Sequence, residues 1–89
     1  MDDEIFLNER VEVSVVFSEG LNPCRPIKFK RASGREVVIT EIGLLYPSAQ
    51  GRKKVHIFDV TDGLADYRLE LDSELLIWRL TREADHYEA

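Results

Sequence analysis

Alternation is the feature that most limits how this chain can fold. Val11, Val13, Val15 and Phe17 occupy every second position, with Glu12, Ser14 and Ser18 on the opposite parity. The same period of two recurs in Ile27 and Phe29 against Lys28 and Lys30, and in Tyr67, Leu69 and Leu71 against Arg68 and Glu70. It recurs again in Leu76, Trp78 and Leu80 against Ile77 and Arg79. Side chains on a strand point alternately to its two faces, so each segment reads as a half-buried strand. Residues 74–84 offer the one competing helical reading, because Glu, Leu and Arg are good helix formers. Ile77, Trp78 and the alternation favour strand there.

Two further segments complete the pattern. In residues 35–46, Val37 and Ile39 share one parity while Ile42, Leu44 and Tyr46 share the other. One extra residue near Thr40-Glu41 would bring both sets to the same side, which is what a β-bulge does while bending the strand. In residues 52–60, His56, Phe58 and Val60 align on one face and Val55 and Ile57 on the other. Apolar residues on both faces predict a central or doubly covered strand. Turn residues punctuate the segments at Gly20 to Pro23, Ala32-Ser33-Gly34, Pro47 to Gly51, Thr61-Asp62-Gly63 and Asp72-Ser73-Glu74. The expected fold class is all-β: a six-stranded, bent antiparallel meander or small SH3-like barrel, with short helical turns at the termini. Strand 25–31 is expected to pair with 35–46, and 35–46 with 52–60.

A chain of 89 residues is long enough for one core and one domain. The reading divides it into an arm over residues 1–10, a β domain over 11–82 and a tail over 83–89. Val13, Val15, Phe17, Ile27, Phe29, Val37, Ile39, Phe58, Leu69, Leu71, Trp78 and Leu80 are the expected core. The acidic start and single cysteine, Cys24, point to a reducing, cytoplasmic setting, and no apolar run reaches the roughly 18 residues of a membrane span.

Charge is polarised along the chain. Net charge is −5, but residues 25–54 hold eight basic and two acidic side chains. Lys28, Lys30 and Arg31, with Arg52, Lys53 and Lys54, are therefore the candidate anion-binding or nucleic-acid-binding set. Tyr46 and Phe29 are candidate stacking surfaces for single-stranded bases. The plainer reading is a solvated, soluble strand face, on which edge lysines block unwanted pairing.

Catalytic chemistry finds little support. Cys24 has only His56 and His86 as conceivable bases, and His56 aligns with core residues. Asp59, Asp62 and Asp66 surround Gly63, but their spacing departs from a calcium loop, and a turn explains them. No phosphate-binding glycine motif and no zinc spacing occurs in the sequence. No catalytic residue, metal or cofactor is expected.

Arg25-Pro26-Ile27-Lys28-Phe29-Lys30, with Gly34-Arg35-Glu36, Val60-Thr61-Asp62-Gly63, Tyr67-x-Leu69-x-Leu71-Asp72 and Trp78-x-Leu80, resembles a group of short, uncharacterised bacterial proteins. A similar domain of unknown function lies near, or fused to, Y-family DNA polymerase-like proteins. The resemblance covers residues 24–82, implies a DNA-repair context, and carries no catalytic residue across. The sequence thus leads to a non-enzymatic accessory module with a protein partner, and next to a small nucleic-acid-binding barrel using the 25–54 basic face. A thiol or hydrolytic enzyme using Cys24 and His56 comes third.

Overall fold

The computed structural model describes residues 4–20, 23–50 and 53–86. Among them are seven strands and no helix: β1 Ile5–Phe17, β2 Cys24–Lys30, β3 Glu36–Val38, β4 Glu41–Gln50, β5 Lys53–Thr61, β6 Ala65–Asp72 and β7 Ile77–Asp85. All pairings are antiparallel, in the order β3-β2-β1-β7-β6-β5-β4.

That order forces curvature. β3 and β4 are the two edges, six strand spacings apart, or about 29 Å across a flat sheet. Yet only Ile39 and Thr40 separate them in the chain, and the three steps from Val38 to Glu41 span at most about 11 Å. The sheet must curl until its edges approach, and it forms a half-barrel. The Ile39 amide donates to the Ile27 carbonyl of β2 at 2.9 Å, and the Thr40 amide to the Thr61 carbonyl of β5 at 2.8 Å. The crossing is thus tied to both sides. Register shifts in four strand pairs supply further bending.

Several expectations change here. The single strand over 35–46 is two strands, β3 and β4, because the chain turns between sheet edges at Ile39-Thr40. The six-stranded meander becomes seven strands, with β1 pairing to β7. Ile5 to Arg10 of the expected arm and Glu83 to Asp85 of the expected tail are also strand: Ile5 lies opposite Glu83 and Phe6 opposite Arg82.

The core lies on the concave face. Val11, Phe29, Val37, Phe58, Val60, Tyr67, Leu69 and Leu80 are buried together, with Val13, Ile39, Leu71 and Trp78 packed against them. The Phe29 and Tyr67 rings meet edge-on at 5.2 Å, and Phe58 and Trp78 tilt together at 5.2 Å. Val55, Ile57, Phe58 and Val60 are all buried, as expected of a strand flanked on both sides. Ile27 and Phe17 depart from the expected core. A register shift pairs Ser14 with Lys28 but Val15 with Pro26, leaving Ile27 as the extra residue. Pro26 takes the inward position and Ile27 is 44% exposed; Phe17, at the far end of β1, is 73% exposed.

Phe29→Ala should therefore cost about 3–5 kcal/mol, whereas Phe17→Ala should stay within about 0.5 kcal/mol. Urea denaturation of the two variants checks the contrast.

Candidate functional site

β1 changes partners along its length. Ile5 to Val11 pair with β7, and Glu12 to Phe17 pair with β2. At the change, the end of β2 and the start of β7 flank β1 from opposite sides, and between them lies a groove of about 810 Å³. Val11 and Trp78 line it, Arg10, Glu12 and Lys30 stand around it, and Leu76 borders it at the β6–β7 tip.

Arg31 closes the β2 side. Phe29 points inward, and the alternation carries Arg31 toward the same side. Its Nη2 and Nε donate to the Glu9 carboxylate at 2.9 and 3.2 Å, and its Nη1 to Glu83 Oε1 at 2.9 Å. The Ala32 amide adds a third bond to Glu9 at 3.1 Å. These side chains are only 17–26% exposed, so the triad is partly desolvated and joins β1, β7 and the β2–β3 turn. The Arg31 hydrogen bond holds the Glu9 carboxyl below the ordinary glutamate range, against the opposing effect of burial. Glu9, in turn, keeps the guanidinium firmly charged.

The β6–β7 tip is fixed by Asp72. Its Oδ1 accepts from the Glu74 and Leu75 amides at 3.0 and 3.1 Å, and its carbonyl from the Leu76 amide at 2.7 Å. Leu76 sits at φ +57°, a left-handed conformation costing a side-chain-bearing residue about 1–2 kcal/mol. The turn therefore runs over residues 73–76 and ends two residues beyond the Asp72-Ser73-Glu74 turn expected. Leu75 and Leu76 are both exposed.

The candidate basic set divides. Lys28 and Lys30 stand together, exposed, on the outer face of β2. Arg31 is occupied by its two carboxylates. Lys54 is exposed on β5, where its carbonyl accepts from Ser73 of the β6–β7 tip at 3.3 Å. The backbone of Lys53 pairs with Gln50, while its side chain, that of Tyr46, and Arg52 lie outside the described residues. β2 and β5 do not flank one strand about 10 Å apart, because 35–46 is divided. β1, β7 and β6 separate them on one side, and the β3 and β4 edges on the other. Phe29, the other stacking candidate, is buried.

Lys28 and Lys30 instead gain neighbours from outside the basic window. Lys30 pairs with Glu12, two residues from Arg10 on the same face, and Arg10 lies directly opposite Arg79. Arg25, opposite Val16, extends the exposed cations along β2. A window drawn along the sequence missed Arg10 and Arg79. Both lie on the outward parity of their strands, so extending the alternation back through Arg10 is the signal that finds them.

The remaining candidates are dispersed. Cys24 and His56 lie on β2 and β5, four places apart in the sheet. Burial pushes the Cys24 thiol up, which lowers its thiolate fraction. The three aspartates near Gly63 face different partners. Asp59 pairs with Arg68 at 2.8 Å, and Asp62 Oδ1 accepts from the Leu64 and Ala65 amides at 2.8 Å. Asp66 meets His86 Nδ1 at 2.7 Å. That His86 pair borders a second cavity of about 490 Å³ with Tyr67 and Arg82. Arg82 is itself paired with Glu4. Among the described residues no three metal-ligating side chains cluster.

The chain matches no protein-family model, no curated protein and no solved structure.

The Arg31 triad predicts a definite pH dependence. A carboxylate whose pKa is depressed by folding contributes stability that is full above its unfolded value, about 4.3, and is lost as pH falls through the lower folded value. Arg31→Met should cost about 1–3 kcal/mol at neutral pH and flatten the loss of stability in this acid range. Denaturation midpoints measured from pH 7 to pH 3 check both.

Proposed function

We propose that this protein is a non-enzymatic binding module that engages an acidic region of a partner protein through the outward side of β2, β1 and β7. The observation carrying this reading is how its cations are divided. Arg31, Arg68 and Arg82 are paired with carboxylates. Arg10, Arg25, Lys28 and Lys30 are exposed and form no ion pair among the described residues. Arg10 and Arg79 stand opposite each other, and Glu70 of β6 lies on the other side of Arg79. Val16, Ile27 and Val38 are exposed among these cations and give a partner apolar area to cover. Such mixing suits a protein surface better than a phosphate backbone alone.

Single-stranded nucleic acid is the second reading, in keeping with a DNA-repair context. It draws on the same Lys28 and Lys30, with exposed Phe17 near Arg25 as a stacking surface.

A twenty-residue polyglutamate peptide and a twenty-nucleotide oligothymidine, titrated at low and moderate salt, separate the two. The peptide should bind the wild type, more weakly as salt rises, and a Lys28→Gln, Lys30→Gln variant about tenfold less tightly, or 1.4 kcal/mol. The thermal melt of this exposed double variant should change little. Tighter binding of oligothymidine than of the peptide would favour the second reading. No binding of either ligand, or an unchanged affinity in the variant, would defeat the cationic face.

A further inference from the structure

The crossing from β3 to β4 is built from residues that favour extended chain. Five of the six residues from Val37 to Ile42 are β-branched, and none is glycine, proline, asparagine or aspartate. β-branched side chains pack well on strands, and turns ordinarily draw on the residue types missing here. The β2–β3 and β5–β6 connections do contain them, with Gly34 and Gly63 both at φ +93°. Yet the strand breaks at Ile39-Thr40, and β4 starts on the opposite edge of the sheet from β3. The hydrogen bonds there already extend the strands on either side. Ile39 adds to the β3–β2 ladder through Ile27, and Thr40 to the β4–β5 ladder through Thr61. Straightening the chain between them need break neither.

The crossing joins two contiguous units. β1, β2 and β3 form one antiparallel set and β4, β5, β6 and β7 another, and among the described residues β1 with β7 is the strand pairing that unites them. Around that seam lie the Arg31–Glu83 and Glu4–Arg82 ion pairs and the Phe29–Tyr67 ring contact, each with one partner in each unit. If the crossing straightens, β1 and β7 part, and each unit exposes a strand edge and the apolar face beside it. The complement of those surfaces is the opposite unit of the same sequence. A second copy in the same open form supplies it, and two copies reform every contact of the seam twice. Only the crossing differs between the closed and the exchanged forms, which is the condition under which swapping is a low-cost route to a dimer.

We propose that this chain forms a dimer by exchange of units, β1 of each copy pairing with β7 of the other about a hinge at Ile39-Thr40. The occupant of the opened seam is a second copy because the register and ion pairs of the seam are already satisfied by this sequence with itself. The exchanged dimer carries two outward cationic faces, each with β1 and β2 from one copy and β7 from the other. The proposal stands whether or not that face binds an acidic partner.

The test unfolds the wild type in urea, refolds it across a range of protein concentrations and sizes the products by light scattering. The dimer fraction should rise with concentration. The seam is read by Arg10→Cys with Arg79→Cys in a Cys24→Ser background, since these positions face each other across β1 and β7. After oxidation, the dimer should run as a covalent pair of chains on a non-reducing gel, and the monomer as a single chain. The hinge is read by inserting Gly-Ser-Gly-Ser between Ile39 and Thr40. The insertion gives the crossing slack and turn residues, and should lower the dimer fraction at least tenfold. A wild type that stays monomeric at every concentration overturns the proposal. So does a dimer whose crosslinks all lie within one chain, because its copies then meet by another surface. An insertion variant that unfolds cooperatively in urea and still dimerises as the wild type does overturns it as well. Polyglutamate titration of the wild-type monomer tests the binding-module reading separately, so either can fail without the other.

Discussion

Three peptide steps carry the chain from Val38 at one edge of the sheet to Glu41 at the other, and the shape of the molecule follows from that shortness. A flat seven-stranded sheet would hold those residues far beyond reach of one another, so the strands must wrap. Wrapping creates a concave face able to enclose Phe29, Phe58, Tyr67, Leu69 and Leu80 without a covering helix. Thr40 anchors the crossing twice, because its amide and hydroxyl both donate to the Thr61 carbonyl, at 2.8 and 3.2 Å. Thr61 in turn donates its hydroxyl to Ala65 and accepts from the Gly63 amide. One corner thus links the sheet edges and the β5–β6 turn through a few short polar contacts.

Electrostatics divides the surface into two regimes. Where a cation is partly buried it has carboxylates around it: Arg31 has Glu9 and Glu83, and Arg68 has Asp59 at two positions. Desolvation makes an unpaired charge costly there, so removing one partner is felt strongly. On the outer face of β1 and β2 the cations remain in water, where an ion pair would contribute about 0–1 kcal/mol. Folding therefore places little demand on those residues.

Much of the fold was legible because a strand writes its two faces into alternate letters. The β6–β7 hairpin, the inward Phe29, Leu69 and Leu80, and the two-sided apolar character of β5 all follow from parity. What parity could not show was where a strand changes partner. Val37 and Ile42 lie on opposite parities, which signals an irregularity, but the same signal fits a bulge within one strand and a turn between two sheet edges. Long-range pairing decides between them, and one sequence does not contain it. Ile27 failed for a related reason: its bulge is defined by Ser14 and Val15 on another strand. Arg31 was readable in principle, since it continues the parity of Phe29. A cation at an inward position looks like a binding residue until Glu9 and Glu83, distant in sequence, are brought beside it. The candidate groove has the same character, because β1, β2 and β7 each contribute only part of it.

The divided pairing of β1 also orders events during synthesis. Its second half meets β2 through a short local hairpin, closed by the Ser18 amide on the Pro23 carbonyl, and that pairing needs only the first thirty or so residues. Its first half has no partner until β7 has left the ribosome. Glu9 and Arg31 can therefore meet before Glu83 joins them. Until then β3-β2-β1 and β6-β5-β4 are two open sheets, and Val11 and Phe29 wait for the strand that joins them.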